Sequence, residues 1–201
     1  MKKQVVIIHG GDTFDTYEEY IASLKNLPID FERYKTGKSD WKKGLAEKLG
    51  PDFEVITPNM PNRMNAKYFE WKMWFEKFIP HFDPEIILIG HSLGGTFIAK
   101  YLSENTFPKK IIAIFLVAPA YDDKNSDYSM ADFTFLNSLY KLEKQGGKIF
   151  IYGSIDDPIV PSVDFEKYEG MLKNVAVRKF TDRGHFNQEE LPELVRDIKS
   201  L

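Results

Sequence analysis

The sequence has no cysteine. That absence excludes disulfides, zinc–thiolate sites, iron–sulfur clusters and a cysteine nucleophile. Histidine is scarce, with four residues in 201, so imidazole chemistry has to be assigned among His9, His81, His91 and His185. Long hydrophobic runs are missing too. The longest, Ile111 to Ala120, is about half the ~20 residues a membrane-spanning helix needs. Neither charge dominates: 27 basic residues face 30 acidic ones, for a net charge of −3. The electrostatic reason to expect a nucleic-acid partner is therefore absent. At the N-terminus Met1-Lys2-Lys3 precedes only a short apolar stretch, Val5 to Ile8, before His9 and two glycines. A signal-peptide core needs roughly 7–15 residues, so this segment reads as a buried strand and the expected location is the cytoplasm.

What the sequence does contain is apolar and aromatic. Residues of hydrophobic type make up 43% and aromatics 14%, which argues against disorder. The length suits one domain over residues 1–201, burying roughly 70% of the surface exposed when unfolded. Short apolar runs are predicted as strands at Gln4–His9, Phe53–Pro58, Glu85–Gly90, Ile111–Ala118, Lys148–Tyr152 and Ala176–Phe180. Most lack polar alternation, as in strands covered on both faces. Helices are predicted at Thr16–Lys25, Trp41–Leu49, Ala66–Phe78, Leu93–Asn105, Asp132–Glu143, Val163–Leu172 and Gln188–Lys199. Alternation of this kind implies βαβ units and a mainly parallel sheet, with functional loops at the carboxyl ends of the strands. Leu27–Asp40, polar and weakly patterned, reads as a surface excursion. Tyr68, Trp71, Phe75 and Phe78 form a helical stripe expected to pack on the sheet.

The predicted strand Glu85–Ile89 runs into Gly90-His91-Ser92-Leu93-Gly94, and a helical stretch follows. This is G-x-S-x-G in the strand–turn–helix setting of a nucleophile elbow. The glycines leave room where side chains would collide, and a strained Ser92 presents its hydroxyl beneath a helix N-terminus. A serine needs a base, and the base an orienting acid. His91 lies inside the elbow and is expected to point away from the hydroxyl, while His81 sits in a turn. His185, in Thr181-Asp182-Arg183-Gly184-His185-Phe186 after the last strand, is the expected base. The acid belongs in Gly153-Ser154-Ile155-Asp156-Asp157-Pro158, where two aspartates compete; Asp122 and Asp123 are rivals at another sheet position. Leu93 N–H is one expected oxyanion donor. Gly11 N–H, in the loop His9-Gly10-Gly11 after the first strand, is the other.

These residues resemble the α/β-hydrolase superfamily, and within it the small serine hydrolases grouped with retinoblastoma-binding protein nine. The resemblance rests on the N-terminal glycine loop, on Asn59-Met60-Pro61-Asn62 before a tryptophan-bearing helix, on the elbow, and on the two late motifs quoted above. It implies a three-layer fold of reduced size with about six mainly parallel strands, helices on both faces and little or no cap. It also implies a triad at Ser92, Asp157 and His185. The chain departs from the pattern in His9-Gly10-Gly11 and in extra helical sequence across Thr16–Leu49. Between the two aspartates, counting forward from Gly153 favours Asp156. Counting back from Val160-Pro161 favours Asp157, as does the restriction Pro158 places on its predecessor. Asp157 is therefore the expected acid and Asp156 a turn former.

The expected activity is hydrolysis of a small ester, thioester or amide through an acyl-enzyme, with a small acyl substrate as partner. No cofactor, metal, nucleic acid or membrane is expected. The competing expectation is a protein-binding module that keeps the fold. Phe14, Met64, Tyr121 and Phe186, with Tyr128 and Met130, are expected around the mouth of an apolar pocket.

Overall fold

The computed structural model describes residues 2–37, 40–124, 126, 128–134 and 138–201. Six strands form one sheet: β1 (Lys3–Ile8), β2 (Phe53–Ile56), β3 (Glu85–His91), β4 (Lys110–Val117), β5 (Lys148–Ser154) and β6 (Val175–Phe180). All pairs are parallel, in the order β2-β1-β3-β4-β5-β6. Eight α-helices lie among the described residues: α1 (Tyr17–Asn26), α2 (Phe31–Thr36), α3 (Trp41–Leu49), α4 (Tyr68–Phe78), α5 (Leu93–Glu104), α6 (Tyr140–Gln145), α7 (Ser162–Met171) and α8 (Pro192–Lys199). None is long and apolar enough to cross a membrane.

Strand geometry sends alternate side chains to opposite faces, and both faces are covered. Val6, Ile8, Ile86, Leu88, Ile114 and Leu116 pack toward α4, α5, α6 and α7. Val5, Ile7, Ile87, Ile89, Phe115 and Tyr152 pack toward α3 and α8. Here the apolar runs lack alternation because neither side of the central strands meets water. The aromatic stripe of α4 is core, as its spacing predicts. Trp71 is fully buried, donates from Nε1 to the Pro61 carbonyl at 2.8 Å, and meets Phe97 and Phe133 edge-on at 5.7 and 5.2 Å. Phe78, at the far end of the stripe, is only partly buried.

Two predicted helices differ from what forms. The stretch predicted as a helix at Asp132–Glu143 contains a 3-10 turn at Ala131–Phe133 and the short α6; residues 135–137 lie outside those described. Asp132 is committed elsewhere: its carboxylate accepts the Tyr68 N–H at 2.9 Å and caps α4, which has no side-chain cap of its own. The helix predicted from Gln188 begins only at Pro192, a residue suited to the first helical turn. Upstream, the Gln188 carbonyl is occupied by the Trp41 N–H at 2.8 Å. The surface excursion between α1 and α3 carries the short helix α2.

The strand order places the site. From β1 the chain first moves outward to β2 and then back across to β3, leaving a crevice between the carboxyl ends of β1 and β3. Ile8 pairs with Gly90, so the loop after β1 and the turn after β3 leave the sheet side by side.

Candidate active site

Ser92 sits between β3 and α5 at φ 55° and ψ −127°, a conformation that L-residues rarely adopt. Strain of this kind costs on the order of 1–3 kcal/mol and persists where the surroundings impose it. The surroundings here are the glycines. A Cβ on Gly90 would lie 2.4 Å from the Gly94 carbonyl oxygen, and one on Gly94 would lie 2.2 Å from the Ile8 carbonyl oxygen. Only glycine at both places lets β3, the turn and α5 approach this closely. The Ser92 N–H donates to the Val117 carbonyl at 2.8 Å, which ties the turn to β4.

Three side chains from three separate loops meet at this turn. Ser92 Oγ lies 2.8 Å from His185 Nε2. His185 Nδ1 lies 2.9 Å from Asp157 Oδ2 and 3.1 Å from Oδ1. Asp157 Oδ1 also accepts the Ile159 and Val160 N–H groups at 2.8 and 3.1 Å, so the carboxylate is held by its own turn. The Asp157 side chain is nearly buried, with 2% of its surface exposed. Its neighbour points elsewhere. The Asp156 carboxylate accepts the Ser154 hydroxyl and the Gly184 N–H, the latter at 2.9 Å. These bonds hold its carboxyl below the usual carboxylate range. Asp156 therefore steadies the loop that carries His185, while Asp157 touches the imidazole. Asp122 is ion-paired with Lys167 at 2.8 Å.

The loop after β1 lies against the elbow. A Cβ on Gly10 would come 3.0 Å from Ser92 Cβ. One on Gly11 would strike the Arg63 carbonyl at 2.6 Å and sit 3.4 Å from Leu93 Cδ2. Gly11 and Leu93 are thus adjacent, and neither N–H meets a backbone acceptor among the described residues. His9 fixes this loop. Its Nδ1 donates to the Gly10 carbonyl at 2.7 Å and its Nε2 accepts the Met60 N–H at 2.9 Å. Burial lowers its pKa, in keeping with an Nε2 that accepts a hydrogen bond. Asp12, next along, is raised by desolvation against the opposing pull of Arg63 and His185.

The residues expected around the pocket mouth stand in separate surroundings. Met64 is 41% exposed and lines a surface cavity of about 590 Å³ with Tyr17, Tyr20, Arg63 and Lys67. Phe14 is half-buried, with its ring 5.6 Å from that of Tyr20. Tyr121, half-buried, stands edge-on to Tyr168 at 5.1 Å. Phe186 departs from expectation. It is fully buried on the α3–α8 face, edge-on to Phe180 at 5.6 Å. Its backbone is at φ 52°.

Sequence reasoning missed Trp41 and Lys42 at the start of α3. Trp41 Nε1 donates to the Phe186 carbonyl at 2.9 Å. Lys42 Nζ lies 3.1 Å from His91 Nδ1, and His91 Nε2 lies 2.9 Å from the His185 carbonyl oxygen. Contacts that span 49 to 145 residues leave no local signal. Among the described residues, no cluster of three or more His, Asp or Glu side chains is placed to hold a metal ion.

A family model described as serine hydrolase matches residues 34–192. The chain belongs to the serine hydrolase family. Serine hydrolase RBBP9 of Rattus norvegicus is 31% identical over 162 residues, covering 80% of this chain and 83% of the rat protein. Among solved structures, the ydeN gene product of B. subtilis superposes with a TM-score of 0.79 at 21% identity, covering 99% of this chain and 98% of that one. Est1E of Butyrivibrio proteoclasticus, solved with ferulic acid bound, gives a TM-score of 0.61 at 14% identity over 98% and 87% of the two chains. At these identities the structural matches speak for the fold alone, and that fold is a compact α/β-hydrolase one. This serine hydrolase thus carries its family's sheet together with an elbow whose serine is already hydrogen-bonded to an imidazole.

Proposed function

We propose that the enzyme cleaves a small carboxylic ester, thioester or amide through an acyl-enzyme on Ser92. The observation that carries this reading is the continuous chain from Ser92 Oγ through His185 to Asp157, at 2.8 and 2.9 Å. The Ser92 hydroxyl donates to Nε2, and Nδ1–H donates to the carboxylate. That tautomer leaves Nε2 free to accept a proton as the serine oxygen attacks the substrate carbonyl. Asp157 holds the ring in this orientation and stabilises the imidazolium that forms. The tetrahedral oxyanion is received by the N–H groups of Leu93 and Gly11, aided by the N-terminal end of α5. Collapse expels the alcohol, thiol or amine, which takes the proton from Nε2. Water then attacks the acyl-enzyme by the same route and returns Ser92 to its resting form.

Met64, Phe14 and Tyr121 are proposed to receive the substrate's apolar portion. The rat relative, named as a serine hydrolase, supports the reaction class, and Est1E, a neighbour of like fold, holds ferulic acid. A fluorophosphonate probe, which modifies only an activated serine, tests the reading together with a panel of short acyl esters, thioesters and aminoacyl amides. Labelling of the wild type and its loss in Ser92→Ala is the expected result. Hydrolysis by Ser92→Ala at the wild-type rate would overturn it.

A further inference from the structure

The triad chain leaves a partly buried, charged arrangement beside it unused. Behind the elbow, Lys42 is 13% exposed and ion-paired with Asp40 at 2.7 Å. Its ammonium lies 5.0 Å from the Trp41 ring centre and 3.1 Å from His91 Nδ1. His91 is itself buried, at 4% exposure. An apolar side chain would fill this position at lower desolvation cost than a paired lysine, so what the lysine does there needs a reason. The chemistry of donors provides one. An ammonium has three N–H donors and no acceptor. The His91 nitrogen facing it must therefore be the acceptor, and the proton of the neutral ring must sit on Nε2. Nε2 lies 2.9 Å from the His185 carbonyl oxygen, so the ring donates to that carbonyl.

We propose that Lys42 and His91 are a positioning pair for the base, with Lys42 holding His91 in the tautomer that anchors the His185 backbone. The inference rests on His185 acting as the base of Ser92. His91 directly precedes Ser92, so the pair closes a ring. The nucleophile is tied to the base residue once through the His185 side chain and once through its main chain. Fixing both ends of one residue fixes the distance between Oγ and Nε2. The start of α3 extends the splint, because Trp41 holds the Phe186 carbonyl with its indole and the Gln188 carbonyl with its backbone N–H. Misplacement of a reacting pair by about 1 Å costs about 10²-fold in rate. Loosening one of several ties is expected to cost about tenfold.

Two measurements test the pair. Nitrogen-15 NMR of the imidazoles reads the tautomer without any substrate. His91 is expected to carry its proton on Nε2 in the wild type and to lose that fixed tautomer in Lys42→Met; a proton on Nδ1 in the wild type would overturn the proposal. Kinetics give the second. Lys42→Met and His91→Leu are expected to lower kcat for an ester and the rate of fluorophosphonate labelling about tenfold with little change in KM. Lys42→Arg and His91→Gln, which keep a donor at the needed place, are expected to restore both rates to within about threefold of wild type. A merely structural role would lower thermal stability without this rescue pattern. Labelling of Lys42→Met and His91→Leu at the wild-type rate would overturn the positioning role while leaving the triad intact. A wild-type protein that the probe does not label would instead count against the triad, and the tautomer measurement would still decide how Lys42 and His91 are arranged.

Discussion

Ser92 bears two costs that separate when it is replaced. Its hydroxyl serves the proposed reaction, and its backbone is held at positive φ by glycine-lined contacts. Ser92→Ala and Ser92→Gly are both expected to abolish labelling. Only glycine relaxes the backbone, so Ser92→Gly is expected to be more stable than Ser92→Ala, by an amount on the order of 1 kcal/mol after the greater unfolded-state freedom of glycine is subtracted, and to melt at a higher temperature. Thermal melts of the two variants check this, and equal midpoints would remove the strain argument. The adjacent aspartates make a second comparison. Asp157 touches the imidazole and accepts two N–H groups of its own turn. Asp157→Asn is expected to lower turnover by up to ~10⁴, because an amide no longer selects the needed tautomer. An asparagine at Asp156 still offers an oxygen to Gly184 N–H, so Asp156→Asn is expected to cost far less turnover and to show mainly in the melt. A greater loss of turnover in Asp156→Asn at unchanged stability would move the acid by one residue.

Among the elements, the first turn of α3 has the most consequence for the site, because it grips the loop that follows β6. Trp41→Phe keeps an aromatic ring in the core, though a smaller one, and removes the bond to the Phe186 carbonyl. That leaves a buried acceptor unpaired, a cost of about 1–3 kcal/mol. The expected result is a lower melting temperature together with a several-fold drop in kcat, read by melts and ester kinetics on the same sample; unchanged kcat would detach α3 from the site. The same element shows where sequence reading stops. The strands were legible because central strands covered on both faces must be written as continuous apolar runs. The elbow was legible because its glycines, strand and helix are contiguous. Pro158 made Asp157 readable as the residue aimed at the imidazole. Asp132 misled because a carboxylate at an apparent helix start was capping α4 across the fold. Phe186 misled because an aromatic beside a histidine suggests a wall, whereas its ring packs against Phe180 in the core on the α3–α8 face. Lys42 had no local signal at all, since its role depends on a histidine 49 residues away.

At the scale of the molecule, one crevice collects what the strand order separates in sequence, and the imidazoles of His9 and His91 beside it are buried. Burial lowers the pKa of His91 well below its ordinary value, with Lys42 and His185 adding to the effect, and burial also lowers that of His9. A histidine lowered in the folded state binds its proton only in the unfolded chain over part of the pH range. Stability is then fully present above the unfolded value of ~6.5 and falls as pH drops below it. The carboxyls held low, Asp122, Asp156, Glu193 and Asp197, act later, losing their contribution only as pH falls through their own depressed values. Asp12 and Asp164, raised chiefly by burial, oppose this trend, since their contribution is lost as pH rises. The wild type and a single-histidine variant share every one of these carboxyls, so their difference isolates the imidazole. For fully buried His91 the slope is up to about 1.4 kcal/mol per pH unit below ~6.5. In a protein of this size that corresponds to roughly 3–5 °C in Tm. His91→Gln keeps the donor to the His185 carbonyl and cannot titrate. Melts from pH 7.5 to 5 are therefore expected to show the wild type losing stability more steeply than His91→Gln, with the curves parallel above pH 7. Parallel curves across the whole range would mean that His91 accepts a proton in the folded state as readily as in the unfolded chain, and that Lys42 does not hold its Nδ1 as an acceptor.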